Sequence, residues 1–175
     1  MNKKNLYRFC SVLLTSVLFF GMVPSFSTVT VSAAGKSYYI SSSEGNDSNK
    51  GNSKNSPWKT FKNVKTMRLT PGDKILLKRG DTWNETLYIH GNGNEKNWVY
   101  IGAYGNVADN KPRIVLNNKF DDICIVAEDI APTKPISTTL NYIHCDNLDL
   151  RNARMGIYFR YYFSSNNEGV KVTNC

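Results

Sequence analysis

A chain of 175 residues with 41% apolar and 21% charged residues has room for one domain or part of one. Its formal charge of +8 comes from 22 Lys and Arg against 14 Asp and Glu without a dense basic run, which excludes a nucleic-acid binder built on a cationic cluster. His90 and His144 lack ligand-spaced partners and no CxxC spacing occurs, which excludes a zinc site of the usual kind.

Residues 1–34 have the layout of a secretory signal peptide. Lys3, Lys4 and Arg8 form a positive start, Val12 to Phe20 is largely apolar, and Val31-Ser32-Ala33-Ala34 offers small residues for cleavage. The apolar part is shorter than the roughly 20 residues a membrane span needs, so no stable span is expected once the leader is gone. The mature chain would start near Ala34 or Gly35 and be secreted. Losing three cations and no acids lowers the formal charge to +5, a modest balance that suits an acidic polysaccharide or an anionic wall, and equally plain solubility. Cys10 leaves with the leader, and Cys124, Cys145 and Cys175 remain as an odd set.

Residues 35–70 read as a strand, a polar loop and a capping helix. Lys36-Ser37-Tyr38-Tyr39-Ile40-Ser41 is rich in aromatic and β-branched residues, as strands are. Ser42 to Ser56 is polar and turn-forming, and Asp47-Ser48-Asn49-Lys50-Gly51 resembles half of a calcium loop without its closing Glu. From Pro57, apolar residues fall at three- and four-residue spacing (Trp58, Phe61, Val64, Leu69). The spacing predicts a short amphipathic helix with Ser56 as its cap, plugging the first coil of the strand-rich remainder.

Residues 71–175 alternate turns and short apolar runs. Pro71-Gly72-Asp73 and Arg79-Gly80-Asp81 bracket a strand beginning near Ile75. Apolar triplets recur at Val99, Ile123, Leu148 and Val170, at steps of 24, 24, 25 and 22 residues, the near-constant period a stacked solenoid needs. A weaker ladder runs through Leu87, Ile114 and Ile157 at steps of 27 and 43. Ala131 to Thr139, with two prolines, reads as a loop, and Asn92, Asn94, Asn117, Asn118, Asn147, Asn152 and Asn174 sit where corners need left-handed or Asx-turn backbone. The pattern therefore predicts an all-β, right-handed, single-stranded parallel β-helix. It halts after Val170-Lys171-Val172 without a cap, so truncation at the carboxyl end and self-association through raw strand edges are expected. A β-sandwich is the rival architecture.

Tyr38-Tyr39-Ile40-Ser41, Gly45 to Gly51, Ser56-Pro57-Trp58-Lys59-Thr60, Pro71-Gly72-Asp73 and Arg79-Gly80-Asp81-Thr82-Trp83 together resemble the opening of secreted proteins of the pectate-lyase-like superfamily. Asn147 to Tyr158 is similar to an early coil there. The resemblance implies a polysaccharide lyase acting on uronic-acid polymers, whose calcium-binding aspartates and catalytic Lys or Arg would lie on middle coils not matched here. No catalytic residue is carried across.

Surface candidates come from residue chemistry. Arg151, Arg154, Tyr158, Arg160, Tyr161 and Tyr162 combine cations with flat rings suited to anionic sugars, although simple strand alternation produces the same pattern. Asp121-Asp122 is an adjacent carboxylate pair after the leader, a candidate for Ca2+ or for an ordinary turn. Asp81 and Glu85 can be posed as an acid/base couple for glycoside hydrolysis, against roles in turns and N–H capping. His90, before Gly91, is expected to be exposed and unengaged. The leading expectation is thus a carbohydrate-active lyase, with a non-enzymatic wall or surface adhesin, or an inactive fragment, as alternatives.

Overall fold

A computed structural model describes residues 34–128, 140–160 and 168–175. The leader expected over residues 1–34 lies outside the described residues but for Ala34, and so do the loop expected at 131–139, Tyr161 and Tyr162.

Eleven strands and one helical turn are described: β1 Ser37–Ile40, α1 Lys62–Lys65, β2 Lys74–Lys78, β3 Thr82–Trp83, β4 Leu87–His90, β5 Val99–Tyr104, β6 Arg113–Val115, β7 Ile123–Glu128, β8 Ile143–Asp146, β9 Asp149–Arg151, β10 Met155–Arg160 and β11 Val170–Thr173. They form three sheets with the orders β1-β2-β5-β8-β11, β3-β6-β9 and β10-β7-β4. Every strand pair in them is parallel. From β2 onward the chain visits the first, second and third sheets in strict rotation. From β5 onward each strand therefore pairs with its counterpart one circuit earlier and not with the strand before it in sequence, while β2 pairs with β1.

The ladder that builds the first sheet is not the one the apolar triplets predict. Lys74 pairs with Tyr100, Tyr100 with His144 and His144 with Lys171, at steps of 26, 44 and 27 residues. Ile123 belongs to the third sheet, Leu148 closes the turn before β9 in the second, and Ile143-His144-Cys145 takes the place expected of Ile123. The even period arose from mixing strands of three sheets.

Inward residues stack in rows. Ile75, Ile101 and Cys145 come from the first sheet, Trp83 and Ile114 from the second, and Leu87, Ile89, Ile125 and Ala127 from the third, all buried. Burial of side chains of this size stabilises by about 1.5–3 kcal/mol each, which gives the circuits a common core. Corners follow backbone chemistry. Each first-sheet strand after β1 is followed by a left-handed residue: Gly80, Gly105, Asn147 and Asn174, with the last two at φ 59° and 52°. Asparagine tolerates this region because its short amide bonds locally to the backbone.

The helix expected over residues 57–69 shrinks to the single turn of α1. The physical reason is that its first residues are used as extended chain. Ile40 and Trp58 form a parallel bridge, Tyr39 N–H donates to Gly51 O at 2.7 Å, and Trp58 N–H donates to Tyr39 O at 2.9 Å. The free edge of β1 is thereby satisfied by strand-like pairing, not by a helix. Phe61, Val64 and Leu69 still enter the core, and Phe61 stacks on Trp83 with centroids 5.4 Å apart.

The two turn motifs are staples. Asp73, buried, accepts from Lys36 N–H at 2.7 Å and from Thr70 N–H at 2.9 Å. Asp81, also buried, accepts from the hydroxyls of Ser41 and Ser43 at 2.7 Å each. Each ties the first strand region to the next circuit.

Candidate functional site

Strand alternation sends Tyr88 and His90 of β4, Val126 and Glu128 of β7, and Tyr158 and Arg160 of β10 to the outer face of the third sheet. The register sets them in two rows across three circuits. Tyr88 and Tyr158 both face Val126, and His90 and Arg160 both face Glu128. Glu128 is only 5% exposed. Its Oε1 lies 3.8 Å from His90 Nδ1, beyond hydrogen-bond reach, and its Oε2 lies 3.1 Å from Arg160 Nη1. That second contact is an ion pair without hydrogen-bond geometry, so among the described residues neither Glu128 Oε2 nor His90 Nδ1 has a hydrogen-bond partner. Buried polar atoms are nearly always satisfied, and two orphans side by side mark a place where the fold has not closed its own bonding.

Beside this row lies a groove of about 260 Å³ lined by Tyr88, Phe120, Asp121, Val126, Arg154 and Arg160, among others. Phe120 is 75% exposed, unusual for so apolar a ring. The Arg154 guanidinium sits 3.9 Å from its centroid and donates to Phe120 O at 3.4 Å. Arg160 lies 5.5 Å from the Tyr158 centroid. A second groove, lined by Phe61, Lys62, Lys65, Glu85, Thr86 and Tyr88, meets the first at Thr86 and Tyr88. Lys65 Nζ stands 4.9 Å above the Tyr88 ring. The Glu85 carboxyl is held above its ordinary pKa, chiefly by burial and further by the negative charge of Asp47, although the Phe61 N–H bonded to it at 3.2 Å works the other way.

The structure divides the residues singled out in sequence. Arg154, Tyr158 and Arg160 gather on the third sheet. Arg151 stands on the second, where it and Arg113 both donate to Asp149 at 2.8 Å. A cleft of about 330 Å³ lies there, but its two arginines are spent on that one carboxylate. Asp122 is engaged in a turn, its Oδ2 accepting from the Asn117 and Lys119 N–H groups at 2.9 and 2.7 Å, while Asp121 reaches the rim of the first groove. Among the described residues no group of three or more His, Cys, Asp or Glu converges as a metal site, and the Asp121-Asp122 pair gains no third ligand. Asp81 is committed to Ser41 and Ser43, so the posed couple with Glu85 does not form. His90 is not exposed and unengaged: its ring lies parallel to Tyr88 with centroids 6.5 Å apart, and Nδ1 is buried. Glu128 gave no warning in sequence. The single available signal was one acid closing the run Ile123 to Ala127 in phase with Val126.

No family model matches the chain. It is 33% identical over 146 residues to a lacto-N-biosidase of Bifidobacterium longum subsp. longum, a match covering 75% of this chain and 9% of that relative. The chain is similar to a glycoside hydrolase. Two solved structures of GH136 lacto-N-biosidase from Eubacterium ramulus, a selenomethionine derivative and the native protein, are 28% and 27% identical. They match 75% and 74% of this chain and 22% of each of theirs, with a TM-score of 0.45 in both cases. The chain thus spans 9% of the length of the curated relative it matches.

That identity overturns the expected likeness to pectate-lyase-like polysaccharide lyases, and with it a lyase reaction on uronic-acid polymers. The physical reason is visible in the motifs that suggested it. Asp73 and Asp81 are staples, Trp83 Nε1 donates to Lys59 O at 2.9 Å, and Trp58 Nε1 donates to Asn49 O at 2.8 Å. All of them hold backbone in place, and scaffold residues carry no information about the reaction.

Proposed function

We propose that this chain is carbohydrate-active and serves the hydrolysis of a glycosidic bond in an oligosaccharide of the kind a lacto-N-biosidase acts on. The observation that carries the reading is the 33% identity over 146 residues. The joined grooves of the third sheet support it, since sugars are gripped by flat rings against their C–H faces and by polar groups at the rim. Glycosidases use a carboxylic acid that protonates the leaving oxygen and a second carboxylate. On this face Glu85 is the carboxyl suited to hold the proton, because its pKa is raised and it lines the groove beside Tyr88. Two structural readings accompany this. The rotation through three parallel sheets is that of a right-handed parallel β-helix, the hand that parallel crossovers take. The chain is also exported, with its mature start near Gly35.

The test is release of p-nitrophenol from a lacto-N-bioside glycoside by the purified chain, with calorimetric binding of the free disaccharide alongside. Release that falls by roughly 100-fold in Glu85→Gln, the scale of a lost general acid, supports the reading. A folded chain that neither cleaves nor binds the sugar overturns it.

A further inference from the structure

We infer that Arg154 and Arg160 form a subsite for the carboxylate of an acidic sugar unit, with Glu128 as the positioning residue behind Arg160. The inference rests on the reading that the third-sheet face takes a sugar, and adds the charge of the unit bound there. Three observations carry it. The two arginines line one groove from opposite ends of a single strand, Arg154 just before β10 and Arg160 its last residue. Neither shares a carboxylate with a second arginine, as Arg113 and Arg151 share Asp149. Among the described residues Arg154 contacts the ring and carbonyl of Phe120, and Arg160 pairs with Glu128 and lies over the Tyr158 ring. A guanidinium has five N–H donors in a fixed fork that matches a carboxylate, so most of each fork is left for a ligand.

Glu128 explains why Arg160 can act as a fixed receptor and not as a loose surface cation. A carboxylate only 5% exposed, on the middle strand of the sheet, holds one end of the guanidinium by charge at 3.1 Å. Tyr158 at 5.5 Å supports the same group from the neighbouring row. Tyr88 and the exposed Phe120 ring supply the flat surfaces a pyranose needs. Asp121 at the rim opposes an anion and Glu128 offsets the charge of Arg160, which leaves Arg154 and the nearby Lys65 against one exposed carboxylate.

The experiment measures calorimetric binding of a trisaccharide ending in a sialic acid against lactose, its neutral counterpart, using the whole chain at low and high salt. The acidic sugar should bind about tenfold more tightly at low salt, and the preference should shrink as salt rises. Arg154→Gln and Arg160→Gln should each weaken the acidic sugar more than lactose and so remove the preference. Because Arg160→Gln strands Glu128 without its cation, the double variant Arg160→Gln/Glu128→Gln is measured beside it and should behave alike. Glu128→Gln alone keeps both cations and should lose part of the preference, which a merely structural role would not move without also changing lactose binding. Equal affinity for the two sugars, or a preference that survives both arginine substitutions, overturns the inference while the hydrolase reading stands. A folded chain that binds neither sugar also overturns the inference, and the lacto-N-bioside assay decides the hydrolase reading separately.

Discussion

The outer faces of the first and third sheets are made from similar parts, a histidine, a carboxylate and tyrosines on parallel strands one circuit apart, yet they end in opposite states. On the first sheet the Tyr100 hydroxyl donates to Asp146 at 2.9 Å and that of Thr173 at 2.6 Å, while the Asn174 and Asn147 amides add 2.9 and 3.1 Å bonds. His144 Nε2 lies 2.7 Å from the same Thr173 oxygen and must be its donor, because the Thr173 proton is already given to Asp146. Gly102 completes the arrangement by lacking a side chain, as a Cβ there would meet the Tyr100 ring at 2.5 Å. On the third sheet Glu128 lies 3.1 Å from Arg160 and 3.8 Å from His90, and among the described residues neither Glu128 Oε2 nor His90 Nδ1 has a hydrogen-bond partner. A surface whose polar groups satisfy one another serves the fold, whereas one that leaves them open beside a groove has bonding capacity to offer a ligand.

The comparison can be tested by substitution, and the largest effect is expected where the two faces share one core. Ile125→Ala empties a fully buried position directly beneath the third-sheet row, and should cost about 3 kcal/mol in urea unfolding. Both faces should melt in that single transition. If the third-sheet face alone were lost, the common core would be disproved.

Next comes the closed face. Asp146→Asn keeps the shape but discards a charged acceptor of four donors, and should cost about 2 kcal/mol at neutral pH. Asp146 is held well below the usual carboxylate range: burial opposes this, and the bonds from Thr173, Asn174, Tyr100 and Asn147 outweigh it. A depressed folded pKa means the stabilisation is fully present above the unfolded value of about 4 and drains as pH falls below it. The gap between parent and variant should therefore narrow between pH 5 and 2, approximately; a gap constant across that range would refute the network.

A smaller effect is expected at Glu128. Glu128→Gln gives up one ion pair and no hydrogen bond to Oε2, so its stability cost should be about 1 kcal/mol or less. A loss equal to that of Asp146→Asn would erase the distinction between the faces. The smallest effects are spectroscopic. Tyr100 is pushed up to about 12 by burial and by its bond to Asp146, so ultraviolet titration of Tyr100→Phe should lose one late-ionising phenol. His144 titrates below the ordinary histidine value, because burial and then Lys171 disfavour its cation. Proton NMR of Lys171→Gln should move its midpoint up by a few tenths of a unit at low salt.

Much of this architecture was legible in the chain. Aromatic and β-branched runs bounded by Gly, Pro and Asn specified short strands, and of the asparagines read as corners Asn118, Asn147, Asn152 and Asn174 are left-handed while Asn92, Asn94 and Asn117 are not. Those signals are local, since each depends on a residue's own backbone preference or on alternation along one strand. The pairing was not local. Which triplet meets which depends on how many residues each circuit spends at its corners, and a 44-residue step between Tyr100 and His144 cannot be told from two shorter ones by counting apolar triplets. The helix over 57–69 failed for the same reason: the free edge of β1 claimed Trp58 for itself. The candidate site shows the divide most sharply. Residue chemistry alone named Arg154, Tyr158 and Arg160 as cations and rings of one kind with Arg151. Folding sent Arg151 to Asp149 on another sheet and set Arg160 against Glu128, because a carboxylate 32 residues away becomes a neighbour when parallel strands from successive circuits align.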